Sequence, residues 1–259
     1  MACAPRDRPQ SAKILRVSAK VAHPSRRVPL QERLIFALDV PDLAAAKSLV
    51  NTLADSVTFY KIGLELAMSG QYFELLHWLT ERDKKVFADL KLYDIPATVA
   101  AAVRQLSKSG ATFLTVHGDT AIMQAAVDEK GSKLQILAVT VLTSLGQRDL
   151  EQMGIRSDIG ALVQLRARQA VAAGCDGVIA SGLEAERLRA ELGPEPLIVT
   201  PGIRPAGNSR SDDQRRIVTP ARALESGADH IVVGRPIRDA ANPYQAATAI
   251  QAEIAAALG

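Results

Sequence analysis

Asp89, Lys91 and Asp94 fall within six residues of one another in the stretch 84–98, K-K-V-F-A-D-L-K-L-Y-D-I-P-A-T. Val86, Phe87 and Ala88 make a short apolar run of strand character that hands over at Asp89. Side chains alternate along a strand, so Asp89 and Lys91 face the same way and can share one pocket. Asp94 stands just before Ile95-Pro96, and proline suits the first turn of a helix. An ammonium set between carboxylates is held charged, which suits electrostatic or proton-transfer chemistry. The same spacing also fits solvated loop charges, with Asp94 or Thr98 capping the helix.

What surrounds this corner separates the two readings. From residue 34 onward the chain repeats one unit, a short apolar run followed by a longer amphipathic stretch. The runs are 34–38, 57–60, 86–88, 112–116, 134–142, 177–180, 197–200 and 230–233, with helical patterns over about 42–53, 65–81 and 99–106, then after Gly118 to about 130, after Ser144 as far as 173, over 184–192 and up to 258. Eight such units predict a (β/α)8 barrel. An open doubly wound sheet shares the local pattern, yet no Gly-x-Gly-x-x-Gly follows the first strand and no phosphate-loop motif occurs. Residues 31–259 are therefore expected to form one barrel domain, preceded by a basic, disordered extension over 1–30.

A barrel gathers the C-terminal ends of its strands on one face, where such enzymes carry their active sites. Those ends are Asp39, Lys61, Asp89 with Lys91, His117, Thr143, Ser181, Arg204 and Arg235. Two aspartates and two lysines around one mouth are costly to bury without a use. The seventh and eighth ends supply Gly202, Arg204, Gly234 and Arg235, a set suited to phosphate: glycines let N–H groups approach, and arginine offers a fork. The segment between Ile203 and Arg216, with Gln214 near its end, reads as a polar lid or as a solvated loop.

Composition removes several classes. The formal net charge of +3 conceals an extension with Arg6, Arg8, Lys13, Arg16, Lys20, Arg26 and Arg27 against Asp7 alone; that segment is +6 and the remainder −3, so the body carries no nucleic-acid signal. The extension also holds Pro5, Pro9, Pro24 and Pro29, which favours disorder over a targeting helix. No apolar run is long enough to span a bilayer. Cys3 and Cys175 are isolated, which suits a reducing, cytoplasmic setting and no disulfide framework. His117-Gly118-Asp119 lacks a third ligand at recognisable spacing, so no metal is expected, and His117 reads as a hydrogen-bonded rim residue.

Asp89-Leu-Lys91-Leu-Tyr-Asp94-Ile95-Pro96-Ala-Thr98 closely resembles the Asp-x-Lys-x-x-Asp-Ile-Pro-x-Thr signature of the orotidine 5'-phosphate decarboxylase family. Ala37-Leu38-Asp39, Lys61-Ile-Gly63, Leu142-Thr143-Ser144, Thr200-Pro201-Gly202-Ile203-Arg204, Gln214 and Val233-Gly234-Arg235 fall where that family has further motifs, and the likeness runs from about residue 33 to the C-terminus. It implies decarboxylation of orotidine 5'-phosphate to uridine 5'-phosphate with no cofactor. By position, the resemblance places Asp39 and Lys61 at the ribose, Asp89 and Lys91 at C6 of the pyrimidine, and Thr143 at the base. Arg204, Gln214, Gly234 and Arg235 fall at the phosphate. It further implies a homodimer in which Asp94 and Thr98 complete the partner's site. Tyr93 stands where histidine is common, a minor departure. The rival readings are a magnesium-dependent sugar-phosphate barrel and a catalytically silent nucleotide binder on the same fold.

Overall fold

The computed structural model describes residues 28–205 and 216–259. Eight parallel strands close in sequence order into a barrel: β1 (Leu34–Ala37), β2 (Phe59–Ile62), β3 (Lys85–Leu92), β4 (Phe113–His117), β5 (Gln135–Val139), β6 (Gly177–Ile179), β7 (Leu197–Thr200) and β8 (His230–Val233). β8 pairs back onto β1 through Leu34 opposite Ile231, so no strand edge is left open. The outer layer consists of α1 (Leu43–Leu53), α2 (Leu64–Met68), α3 (Tyr72–Thr80), α4 (Pro96–Leu106), α5 (Thr120–Glu129), α6 (Gln147–Gln152), α7 (Ile159–Ala172), α8 (Ala185–Leu192), α9 (Pro220–Glu225), α10 (Arg235–Arg238) and α11 (Pro243–Leu258). This is the (β/α)8 architecture that the repeated units predict. Most of the basic extension and Gln214 lie outside the described residues.

Each strand is buried on both faces, which explains why the runs read as continuously apolar rather than alternating. Ile35, Ala37, Phe59, Phe87, Phe113, Leu137, Val199 and Val232 point into the barrel and form its inner cluster. Leu34, Phe36, Tyr60, Ile62, Val86 and Ala88 point outward into the shell that the helices cover. The helices offer matching stripes, Ala46, Val50 and Leu53 on α1 and Val99, Val103 and Leu106 on α4.

Several boundaries differ from the periodicity, and three of them shape the fold. The pattern over 65–81 is two helices, broken at Gly70 in the left-handed region (φ 78°). The last pattern is likewise divided between α10 and α11. β3 does not stop at Asp89 but runs on to Leu92 across an irregularity: Ala88 lies opposite Leu114 and Leu92 opposite Val116, so β3 takes four steps where β4 takes two. That is a bulge, and it falls at the chemically loaded corner.

The barrel floor is aromatic. Phe59 and Phe113 meet at 5.0 Å, and His230 packs edge-on against both, at 5.7 and 5.2 Å. His230 Nδ1 lies 2.8 Å from the Glu32 carbonyl, to which it donates as the neutral imidazole. Burial there holds its pKa down at about 4. The unfolded chain takes up that proton near pH 6.5 and the folded one only near 4, so this contribution to stability is complete above 6.5 and is lost as the pH falls between the two. Urea unfolding at pH 7 and pH 4.5 should reveal about 2–3 kcal/mol of loss from this residue. In His230→Gln that part of the slope should vanish, and an unchanged slope would count against a neutral buried imidazole.

Candidate active site

The strand ends enclose a cavity of about 520 Å³ lined by Asp39, Lys61, Asp89, Lys91, Thr143, Arg204, Gly234 and Arg235. Side chains from β2 and β3, and from the loops after β1, β5, β7 and β8, thus converge on one space. Asp39 Oδ1 lies 3.1 Å from Lys61 Nζ, which lies 3.3 Å from Asp89 Oδ2; Asp89 Oδ1 is 2.8 Å from Lys91 Nζ. The four groups form one row of alternating charge from β1 to β3.

Its electrostatics follow from burial set against pairing. Burial opposes the Lys61 ammonium, yet the carboxylates of Asp89 and Asp39 outweigh it and hold the lysine above its ordinary pKa. Burial likewise opposes the Asp89 carboxylate, but Lys61, Lys91 and the Thr115 hydroxyl keep it below the usual range. Asp89 and Lys61 therefore stay ionised across neutral pH.

Lys91 has φ 49°, in the left-handed region rarely adopted by a lysine. Thr115 on β4 holds this conformation: its buried Oγ1 donates to Asp89 Oδ1 at 2.9 Å and accepts from the Lys91 amide at 3.0 Å. One hydroxyl thus satisfies the amide freed by the bulge and orients the carboxylate beside the lysine. Simple strand alternation anticipates that Asp89 and Lys91 share a pocket, but not this backbone. Thr115 reads in the sequence as an ordinary strand residue, and only its cross-strand position gives it this part.

Two further residues line the cavity: Ser144, which the sequence reading places within a motif but gives no role, and Arg238, which escaped that reading. Ser144 follows Thr143 into the cavity, and Arg238 on α10 donates from Nη1 to the Asp39 carbonyl at 3.0 Å while pairing with Asp239 at 2.6 Å. Including Arg238, five cationic side chains line the cavity against two carboxylates among the described residues. That balance fits an anionic ligand with more than one charged group.

Asp94 and Thr98 lie elsewhere, on a shallower cleft with Tyr93 and Val99. Asp94 makes no ion pair with Lys91 of its own chain; its Oδ1 accepts from the Ile95 amide at 2.6 Å, at the entrance to α4. The expectation that Asp94 helps keep Lys91 cationic thus fails within one chain, because the turn at Ile95-Pro96 directs it outward. His117 also stays outside the main cavity. It packs edge-on to Tyr93 at 5.5 Å, and burial, with Arg166 and Lys91 nearby, lowers its basicity. Among the described residues it makes no hydrogen bond of the kind expected for a rim residue. No group of three or more His, Cys, Asp or Glu side chains among the described residues is arranged to hold a metal.

A closed eight-stranded barrel with a charged cluster at its strand ends has the layout of the enzymes of the barrel class, which carry their active sites on that face. A family model described as Orotidine 5'-phosphate decarboxylase / HUMPS family matches residues 32–250, and the chain belongs to that family; it is an enzyme, a carboxy-lyase. Over 230 residues it is 56% identical to the orotidine 5'-phosphate decarboxylase of Methylococcus capsulatus, covering 89% of this chain and 95% of that protein. It is 54% identical over 233 residues to the enzyme so named from Rhodopseudomonas palustris, covering 90% and 98%. The crystal structure of orotidine 5'-phosphate decarboxylase from Lactobacillus acidophilus is similar with a TM-score of 0.76 and 36% identity, covering 86% of this chain and 99% of that one.

The geometry makes Thr115 testable. Thr115→Val keeps the shape but leaves the Lys91 amide without its acceptor and Asp89 with one donor fewer. Denaturant unfolding should show a loss of about 1–3 kcal/mol, and a variant as stable as the parent would show that the bulge holds itself.

Proposed function

We propose that this chain converts orotidine 5'-phosphate to uridine 5'-phosphate and CO2, without metal or organic cofactor, as a cytoplasmic step of pyrimidine biosynthesis. The observation that carries this reading is the unbroken row Asp39–Lys61–Asp89–Lys91 in a cavity that also presents Arg204 and Arg235. Family membership and the names of the relatives support the substrate.

In this reading the phosphate lies toward Gly234, Arg204 and Arg235, with Gln214 contributing from outside the described residues. The base lies against Thr143, and the ribose toward Asp39 and Lys61. Breaking the bond from C6 to the carboxylate leaves the electron pair on C6, in the ring plane, where the π system does not spread it. The Lys91 ammonium, 2.8 Å from Asp89, stabilises that pair and then delivers a proton to C6; water returns the proton to Lys91. Asp39 helps hold Lys61 charged, and Lys61 in turn keeps Asp89 ionised, so the charges are arranged before the substrate arrives. Contacts at the remote phosphate supply binding energy that supports the step at C6.

The same reading makes the functional unit a two-fold dimer over the barrel domain 31–259. Asp94 and Thr98 face away from their own chain's cavity beside the exposed Tyr93 and Ile95, the disposition needed to complete a neighbour's site.

Following the absorbance loss of orotidine 5'-phosphate tests the activity directly. Wild-type chain should turn over with and without a chelator, whereas chelator-sensitive turnover would favour a metal-dependent chemistry and no turnover a binder. Lys91→Ala should lower kcat by at least about a thousandfold with a cooperative thermal melt retained; near-normal turnover would remove Lys91 from the chemistry.

The shared site has its own test. Lys91→Ala and Asp94→Asn chains, each weakly active alone, should recover activity when mixed and allowed to exchange. Random pairing gives about a quarter of the sites an intact set, and no recovery would mean that each site is complete within one chain.

A further inference from the structure

Arg216 is 7% exposed and lies where the chain returns toward α9. Its Nη1 donates to Glu184 Oε1 at 2.6 Å, at the start of α8, and its Nη2 donates to the carbonyls of Val141 and Leu142 at 3.0 and 3.1 Å. Its own carbonyl accepts from Ser181 Oγ at 3.3 Å. Two residues on, Val218 pairs with Ile203, and its carbonyl accepts from the Arg204 amide at 2.9 Å. The short segment 216–218 thus grips the backbone of Arg204 on one side and the two residues immediately before Thr143 on the other.

As a purely stabilising device this is a poor one. Arg216 Nε and Glu184 Oε2 are both buried without a hydrogen-bond partner among the described residues, and an ion pair taken out of water gains little over apolar packing. What the fork supplies instead is geometry: three acceptors on two separate loops are held by one planar group. We propose that Arg216 is a positioning residue that fixes the distance between the Thr143 side and the Arg204 side of the cavity, so that both ends of one nucleotide are met at once. The inference rests on the orotidine 5'-phosphate reading above and adds to it a residue that touches neither substrate nor the charged row.

Arg216→Lys keeps a cation for Glu184 but does not span both carbonyls. It should lower kcat/KM about tenfold or more, chiefly through KM, because both ends of the ligand lose their common frame. The decisive measurement is a double-mutant cycle with Thr143→Ala. If Arg216 acts through the Thr143 loop, the Thr143→Ala penalty should shrink at least several-fold in the Arg216→Lys background. Additive penalties, or unchanged kinetics in Arg216→Lys, would overturn the proposal. Should Arg216→Lys fail to fold, the pair Arg216→Met with Glu184→Met removes charge and counter-charge together and enters the same cycle with the same two outcomes. Wild-type turnover of orotidine 5'-phosphate is the control. Its absence overturns the proposed function, while its presence with an additive cycle overturns only the role of Arg216.

Discussion

The central constraint is the deep burial of one ammonium, Lys61, against one carboxylate, Asp89, with the more exposed Asp39 and Lys91 closing the row at its two ends. Neither sign would stay ionised alone at such a depth, since desolvation alone moves Lys61 and Asp89 toward neutrality. Alternation reverses that tendency, because each charge is flanked by its opposite at about hydrogen-bonding distance. The two inner members are therefore interdependent: loss of Lys61 or Asp89 leaves the other buried with only one partner at the row's end.

The barrel is what makes such a row affordable to the fold. Its inner residues and its helix-facing residues are apolar on every strand, so burial of hydrocarbon is essentially complete below the rim. The floor is closed by Phe59, Phe87, Phe113 and a neutral His230, and the row of Asp39, Lys61, Asp89 and Lys91 stands at the opposite end. Parallel strands bring residues far apart in the chain to one level there, which is how Asp39 and Arg238 meet.

Much of the fold was legible because eight apolar runs end in polar groups, and eight is the number that closes. Most of the cavity lining was legible for the same reason: Asp39, Lys61, Asp89, Lys91, Arg204 and Arg235 each stand at a strand end. What stayed hidden depends on relations across strands rather than along them. The bulge in β3 arises from mismatched step counts between β3 and β4, which a single run does not display. Thr115 and Arg216 read as a strand threonine and a loop charge, and only the partners that folding brings to them give them a part. Asp94 was legible as a helix-entry residue, while its direction was decided by the turn into Pro96.

Lys91 occupies a backbone conformation that suits glycine better than any residue with a side chain. Glycine at this position would relieve the local strain and delete the amine in the same stroke. If Lys91 carries the chemistry proposed above, drift toward greater stability and drift toward inactivity point along one path here. Under the proposed role of Lys91, this corner of the barrel is where gains in robustness and retention of chemistry are least compatible.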